Sequence, residues 1–124
     1  MDLVIKAKQI GDRVKLIISA EKYIGYFLNG RFIFNRLKFP RIQDTRYQPL
    51  PKILIDNNAT TGSKRCYVTI ESDKLYELID ELNKWWNDIC KKAMEEEMML
   101  RSKSNTNKYA SYSEFRIKAT IEEV

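Results

Sequence analysis

The chain has 124 residues, a formal net charge of +5 and no histidine, with 44% hydrophobic, 11% aromatic and 31% charged residues. That length suffices for one hydrophobic core without disulfide or metal support, and the apolar content excludes wholesale disorder. Lack of histidine removes the commonest general base, the commonest metal ligand and every imidazole-based triad.

Residues 3–20 alternate with period two around Gly11-Asp12, a pair suited to a type II′ hairpin turn. Such a turn sets Ile10 opposite Arg13, Lys8 opposite Lys15 and Lys6 opposite Ile17. It also gathers Leu3, Ile5, Ala7, Val14, Leu16, Ile18 and Ala20 on the other, apolar face. Asn29-Gly30 marks a second hairpin between residues 23–28 and 31–39. One of its faces carries Ile24, Tyr26, Leu28, Ile33 and Leu37 and reads as core. The other mixes rings with cations: Tyr23, Gly25, Phe27, Phe32, Phe34, Arg36 and Lys38. The reverse assignment, with the phenylalanines in the core and Tyr26 outside, is the competing reading of the same alternation.

Residues 40–51, with three prolines, read as an irregular connection, 52–56 as a short strand and 57–64 as a polar loop. Residues 65–71 follow as a strand with Cys66, Val68 and Ile70 on its apolar side. Ser72 is a natural N-cap for a helix over 72–101, whose stripe is Leu75, Ile79, Leu82, Trp86, Ile89 and Ala93, flanked by Leu78 and Trp85. Such a helix is about 43 Å long, roughly twice a typical strand, so its last turns are expected to run beyond the sheet. Cys90, Met94 and Met98 lie on a stripe rotated from the core stripe and are the candidate homodimer interface, with packing under the following connection as the alternative. Residues 102–113 read as a flexible connection and 114–122 as a final strand. The expected fold is α+β in one domain: a curved antiparallel sheet built from hairpins, its apolar face covered by the long helix.

Motifs for chemistry are missing. The two cysteines are 24 positions apart, no lysine has an acidic residue two places before it, and Thr60-Thr61-Gly62-Ser63-Lys64 lacks the order of a phosphate-binding loop. The acidic pairs and runs Asp80/Glu81 and Glu95/Glu96/Glu97 read as solvated helix surface. The expectation is a protein that is not an enzyme and has no cofactor or metal. No secretory pattern opens the sequence and no apolar run approaches a membrane span, which predicts a cytoplasmic chain without membrane contact.

Charge points to a partner. Residues 1–70 carry 13 Lys and Arg against 5 Asp and Glu, whereas residues 71–101 carry 5 against 9. Like charges directly opposite each other destabilise a hairpin, so Lys8 and Lys15 call for a compensating anion. The reading is a protein that binds single-stranded DNA or RNA, with Lys6, Lys8, Arg13, Lys15, Arg116 and Lys118 on phosphates. Tyr23, Phe32 and Phe34, beside Arg36 and Lys38, stack bases. The alternative is a small inhibitor or adaptor that binds an acidic protein through the same basic face or through its Met-bearing helix end. In outline, a basic sheet backed by one helix is similar to the Whirly-type single-stranded DNA-binding fold, although no stretch matches that family's motifs.

Overall fold

Strands β1 (Asp2–Ile10) and β2 (Arg13–Ala20) form the first hairpin, and Gly11 supplies the positive φ (+62°) that its turn requires. The computed structural model describes residues 2–103 and 116–123, with side chains described over 2–101. Register follows the turn: Lys8 stands opposite Lys15, Lys6 opposite Ile17 and Ile10 opposite Arg13. Leu3, Ile5, Ala7, Val14, Leu16 and Ile18 are accordingly buried on the inner face.

The second hairpin does not extend this sheet. Strands β3 (Gly25–Leu28) and β4 (Arg31–Phe34), turned by Asn29 and Gly30 at φ of +51° and +72°, pair with β5 (Tyr47–Pro49) in a separate antiparallel sheet. β5 lies within the stretch expected to be irregular. Residues 52–56, expected as a strand, form the short helix α1 (Lys52–Asp56), which buries only Leu54 and stops at Asn57 and the left-handed Asn58. A three-residue apolar run cannot distinguish strand from helical turn, and Pro51 fits the start of a helix.

The expected polar loop 57–64 also contains structure. β6 (Thr60–Gly62) turns through Ser63-Lys64 into β7 (Arg65–Glu71), and β7 pairs antiparallel with β2, Leu16 opposite Val68. β8 (Arg116–Glu123) joins the free side of β1 in parallel, giving the order β6-β7-β2-β1-β8. Most of the expected flexible connection, residues 104–113, falls outside the described residues.

Helix α2 (Leu75–Lys103) follows a 3-10 turn at Ser72–Lys74. Ser72 is not its N-cap. Its backbone N–H donates to Asp12 O (2.9 Å) and its hydroxyl accepts from Gln9 Nε2, tying the helix entry to the first hairpin's turn. Leu75, Leu78, Leu82, Trp86, Ile89 and Ala93 are buried, while Ile79, expected in the stripe, is only half-buried. The stripe shifts toward Leu78 because one helix serves both sheets.

The second hairpin buries residues of both its faces: Ile24 and Ile33 are core as expected, but Phe27, Phe32 and Phe34 of the other face are core as well. All three are fully buried, whereas Leu28 and Leu37 are exposed and Tyr26 is half-buried. Phe32 sits edge-on to Phe27 (5.1 Å between centroids), Phe34 (5.2 Å) and Trp86 (5.2 Å), while Phe34 meets Phe39 at 4.9 Å. Three rings remove more apolar area from water than Tyr26, Leu28 and Leu37, the members of the expected core face that are left outside, and the helix tryptophans supply edge-to-face partners. Gly25 makes the approach possible: a Cβ there would collide with the Ile33 carbonyl oxygen and the Phe32 ring.

The end of α2 is covered as well. Cys90 and Met94 are buried in the same core as Phe39 and Ile42, so two of the three residues expected at a dimer interface are packed within the chain. Nor are Glu96 and Glu97 simply solvated. The Glu97 carboxylate, 2% exposed, accepts the Arg41 backbone N–H (3.1 Å) and the Arg101 Nε–H (3.2 Å). Glu96 accepts the backbone N–H groups of Gln43 (2.9 Å), Asp44 (3.1 Å) and Thr45 (3.0 Å), and the Thr45 hydroxyl as well. The loop therefore wraps the helix end because two helix carboxylates hold its backbone.

Desolvation pushes the Glu96 carboxyl up, but the Thr45 hydroxyl and the three backbone N–H groups outweigh it and hold the carboxyl below its usual range. A depressed folded-state pKa stabilises the protein above the unfolded carboxyl value and loses that contribution as pH falls through the folded one. We therefore expect amide exchange at Gln43, Asp44 and Thr45, corrected for the intrinsic pH dependence of exchange, to lose protection only as pH falls below the ordinary glutamate range. Glu96→Gln should show weak protection there at every pH. Acid-independent protection in the wild type would refute the anchoring role.

Candidate nucleic-acid interface

Because inward and outward residues alternate on each strand, burying the core face of β1, β2 and β7 leaves a second face outside. Lys6 and Lys8 of β1, Arg13 and Lys15 of β2, and Arg65 and Thr69 of β7 are all exposed there. Cross-strand rows order them: Lys8 faces Lys15, which faces Thr69, and Lys6 faces Ile17, which faces Tyr67. Val4, Ile17 and Tyr67 are half-buried, so the face has apolar patches between its cations. Among the described residues none of Lys6, Lys8, Arg13, Lys15 and Arg65 forms an ion pair; the ion pairs are Lys84–Asp80, Lys92–Asp88 and Arg101–Glu97, all on α2.

Arg116 and Lys118 belong to β8, whose register sets them beside Asp2 and Val4 of β1; their side chains lie outside the described residues. The same register places Thr120 opposite Lys6 and Glu122 opposite Lys8. The basic character of the face is thus concentrated on β1, β2 and the start of β7.

The residues expected to stack bases are divided. Phe32 and Phe34 are core and cannot offer a face to a base in the folded protein. Arg36 is exposed beyond the end of β4, and Lys38 is half-buried beside Leu37, Met94, Glu97, Met98 and Arg101 around a cavity of about 180 Å³. Met98 is half-buried at that cavity, the one member of the expected interface stripe with partial exposure. Only Tyr23 remains an exposed ring, 46% accessible, in a groove at the end of β2.

Tyr67 and Arg65 are the face residues that sequence reasoning misses. Inward-facing Cys66, Val68 and Ile70 require both to point outward, so the signal is present in the alternation. What is missing is the neighbour: pairing of β7 with β2 joins residues some fifty positions apart, and no local pattern announces it.

Cys66 and Cys90 are free and buried, and desolvation pushes the Cys66 thiol up to about 11 despite an opposing backbone hydrogen bond from Tyr67. Cys90 is pushed up further by the same cause. Both therefore behave as small apolar side chains. Among the described residues no helix is long and apolar enough to cross a membrane, and no group of His, Cys, Asp and Glu has the makings of a metal site. Comparison of the chain with protein-family models, with curated proteins and with solved structures found no match.

Proposed function

We propose that the chain is a non-catalytic nucleic-acid-binding protein that holds a phosphate backbone across the outer face of its five-stranded sheet. The observation that carries this reading is the four-cation cluster Lys6, Lys8, Arg13 and Lys15, in which two lysines stand directly opposite each other and no cation forms an ion pair among the residues whose side chains are described, while the register sets Glu71 opposite Arg13 and Glu122 opposite Lys8. The lysine pair costs roughly 0.2 to 1 kcal/mol, a cost that a bound phosphate offsets. Released counterions then drive association in proportion to the phosphates neutralised. Tyr67, in the row next to Lys15, takes the stacking role expected of the phenylalanines and gives the reading its preference for single strands.

Fluorescence titration with labelled single-stranded and duplex oligonucleotides at two salt concentrations tests the proposal. Salt-sensitive binding with a single-strand preference is expected, and Tyr67→Ala should weaken single-strand binding by about 1 to 3 kcal/mol with little change in salt dependence. Absence of binding even at low salt would transfer the face to an acidic protein partner.

A further inference from the structure

We infer that the groove at the end of β2 is a second site, shaped for a single nucleotide: an aromatic base with its phosphate. It deepens the nucleic-acid reading and rests on it for the choice of a nucleotide over other aromatic anions. Lys22, Tyr23, Tyr26, Asn35, Leu37 and Lys64 line a cavity of about 310 Å³, within the range of small-molecule pockets. Its walls are fixed before any ligand arrives. The Asn35 amide donates to Lys22 O (3.0 Å) and accepts from the Leu37 N–H (3.0 Å), and its backbone N–H donates to Ile24 O (2.8 Å).

Both halves of a nucleotide find complementary chemistry there. Tyr23 offers an exposed ring, and Leu37, 81% exposed, stands at the rim as an apolar cover for a base. Lys64 holds its ammonium 5.7 Å from the centre of the Tyr26 ring, and neither it nor Lys22 has a carboxylate partner among the described residues. The acidic groups near the Tyr23 hydroxyl are Glu21 and Asp2, so the phosphate falls to the lysine side of the groove, at Lys22 and Lys64.

Lys64 is an unusual residue for its position. Ser63 and Lys64 both have positive φ, +50° and +67°, in a two-residue hairpin turn where Asn-Gly would be unstrained. Its carbonyl is also bonded by the Phe27 N–H (3.2 Å), so the turn is seated against β3 and the ammonium is delivered to the groove. A turn optimised for stability alone would not put lysine there.

Amide chemical shifts of the full chain, titrated with adenosine monophosphate and separately with ribose phosphate, test the inference. The nucleotide should shift residues 22–26 and 64, and ribose phosphate should bind about tenfold more weakly, as loss of one stacked base predicts. Tyr23→Ala should reduce nucleotide affinity by a similar factor. The double variant Ser63→Asn, Lys64→Gly should raise Tm while weakening the nucleotide, separating a binding role from a structural one. An oligonucleotide titrated in parallel separates the two readings: a nucleotide that binds where oligonucleotides do not would sink the sheet-face proposal and keep this one. Equal affinity for the two ligands, shifts confined to β1 and β2, or normal binding by the double variant would overturn it.

Discussion

Phe32→Ala is expected to lower stability by about 3 to 5 kcal/mol while leaving the oligonucleotide affinity of the folded fraction unchanged. Phe32 is fully buried and its ring is shared among Phe27, Phe34, Trp85 and Trp86, so truncation opens a cavity at the junction of the three-stranded sheet and α2. Phe27, Phe34 and Trp86 are themselves fully buried and packed on Trp85, Phe39 and Trp85 respectively, which limits their collapse into the space. Urea denaturation gives the stability change, and a titration at a denaturant-free, low temperature gives the affinity. Loss of affinity at unchanged stability would return Phe32 to the binding surface.

Leu82→Ala should cost about 2 to 5 kcal/mol by the same combination of forfeited transfer energy and residual cavity. Leu82 is fully buried one turn before Trp86, in the middle of the stripe that seats α2. Because Trp86 also touches Phe32, the double variant is expected to be less destabilised than the sum of the two singles. A single-variant change under about 0.5 kcal/mol would mean that α2 does not close the core.

How much of the fold is legible in the sequence depends on the distance over which each signal acts. Gly11-Asp12 and Asn29-Gly30 specify their turns locally, and the register of β1 against β2 follows from the first without further information. The helix is legible from its period of apolar residues and begins at Ser72 as expected, although its first turn is a 3-10 turn and Ser72 bonds Gln9 and Asp12, two partners that no local pattern encodes. Facing of the second hairpin is ambiguous for a physical reason. Both of its sides are apolar enough to be core, and the choice falls to the tryptophans of α2, more than fifty residues later. Glu96 and Glu97 look like surface acids because their partners are backbone N–H groups, which carry no sequence signature. For the candidate site, the lysines of the first hairpin are visible, while Arg65 and Tyr67 enter only with the pairing of β7.

Salt dependence of single-strand binding is the most direct test of the basic face. In a plot of log affinity against log salt, the wild type should give a steep negative slope. Lys8→Ala with Lys15→Ala should flatten it by about 1.4 units, since each phosphate neutralised on a single strand adds roughly 0.7 to the slope. An identical slope in the double variant, with binding otherwise intact, would show that phosphates lie elsewhere and would contradict the sheet-face account.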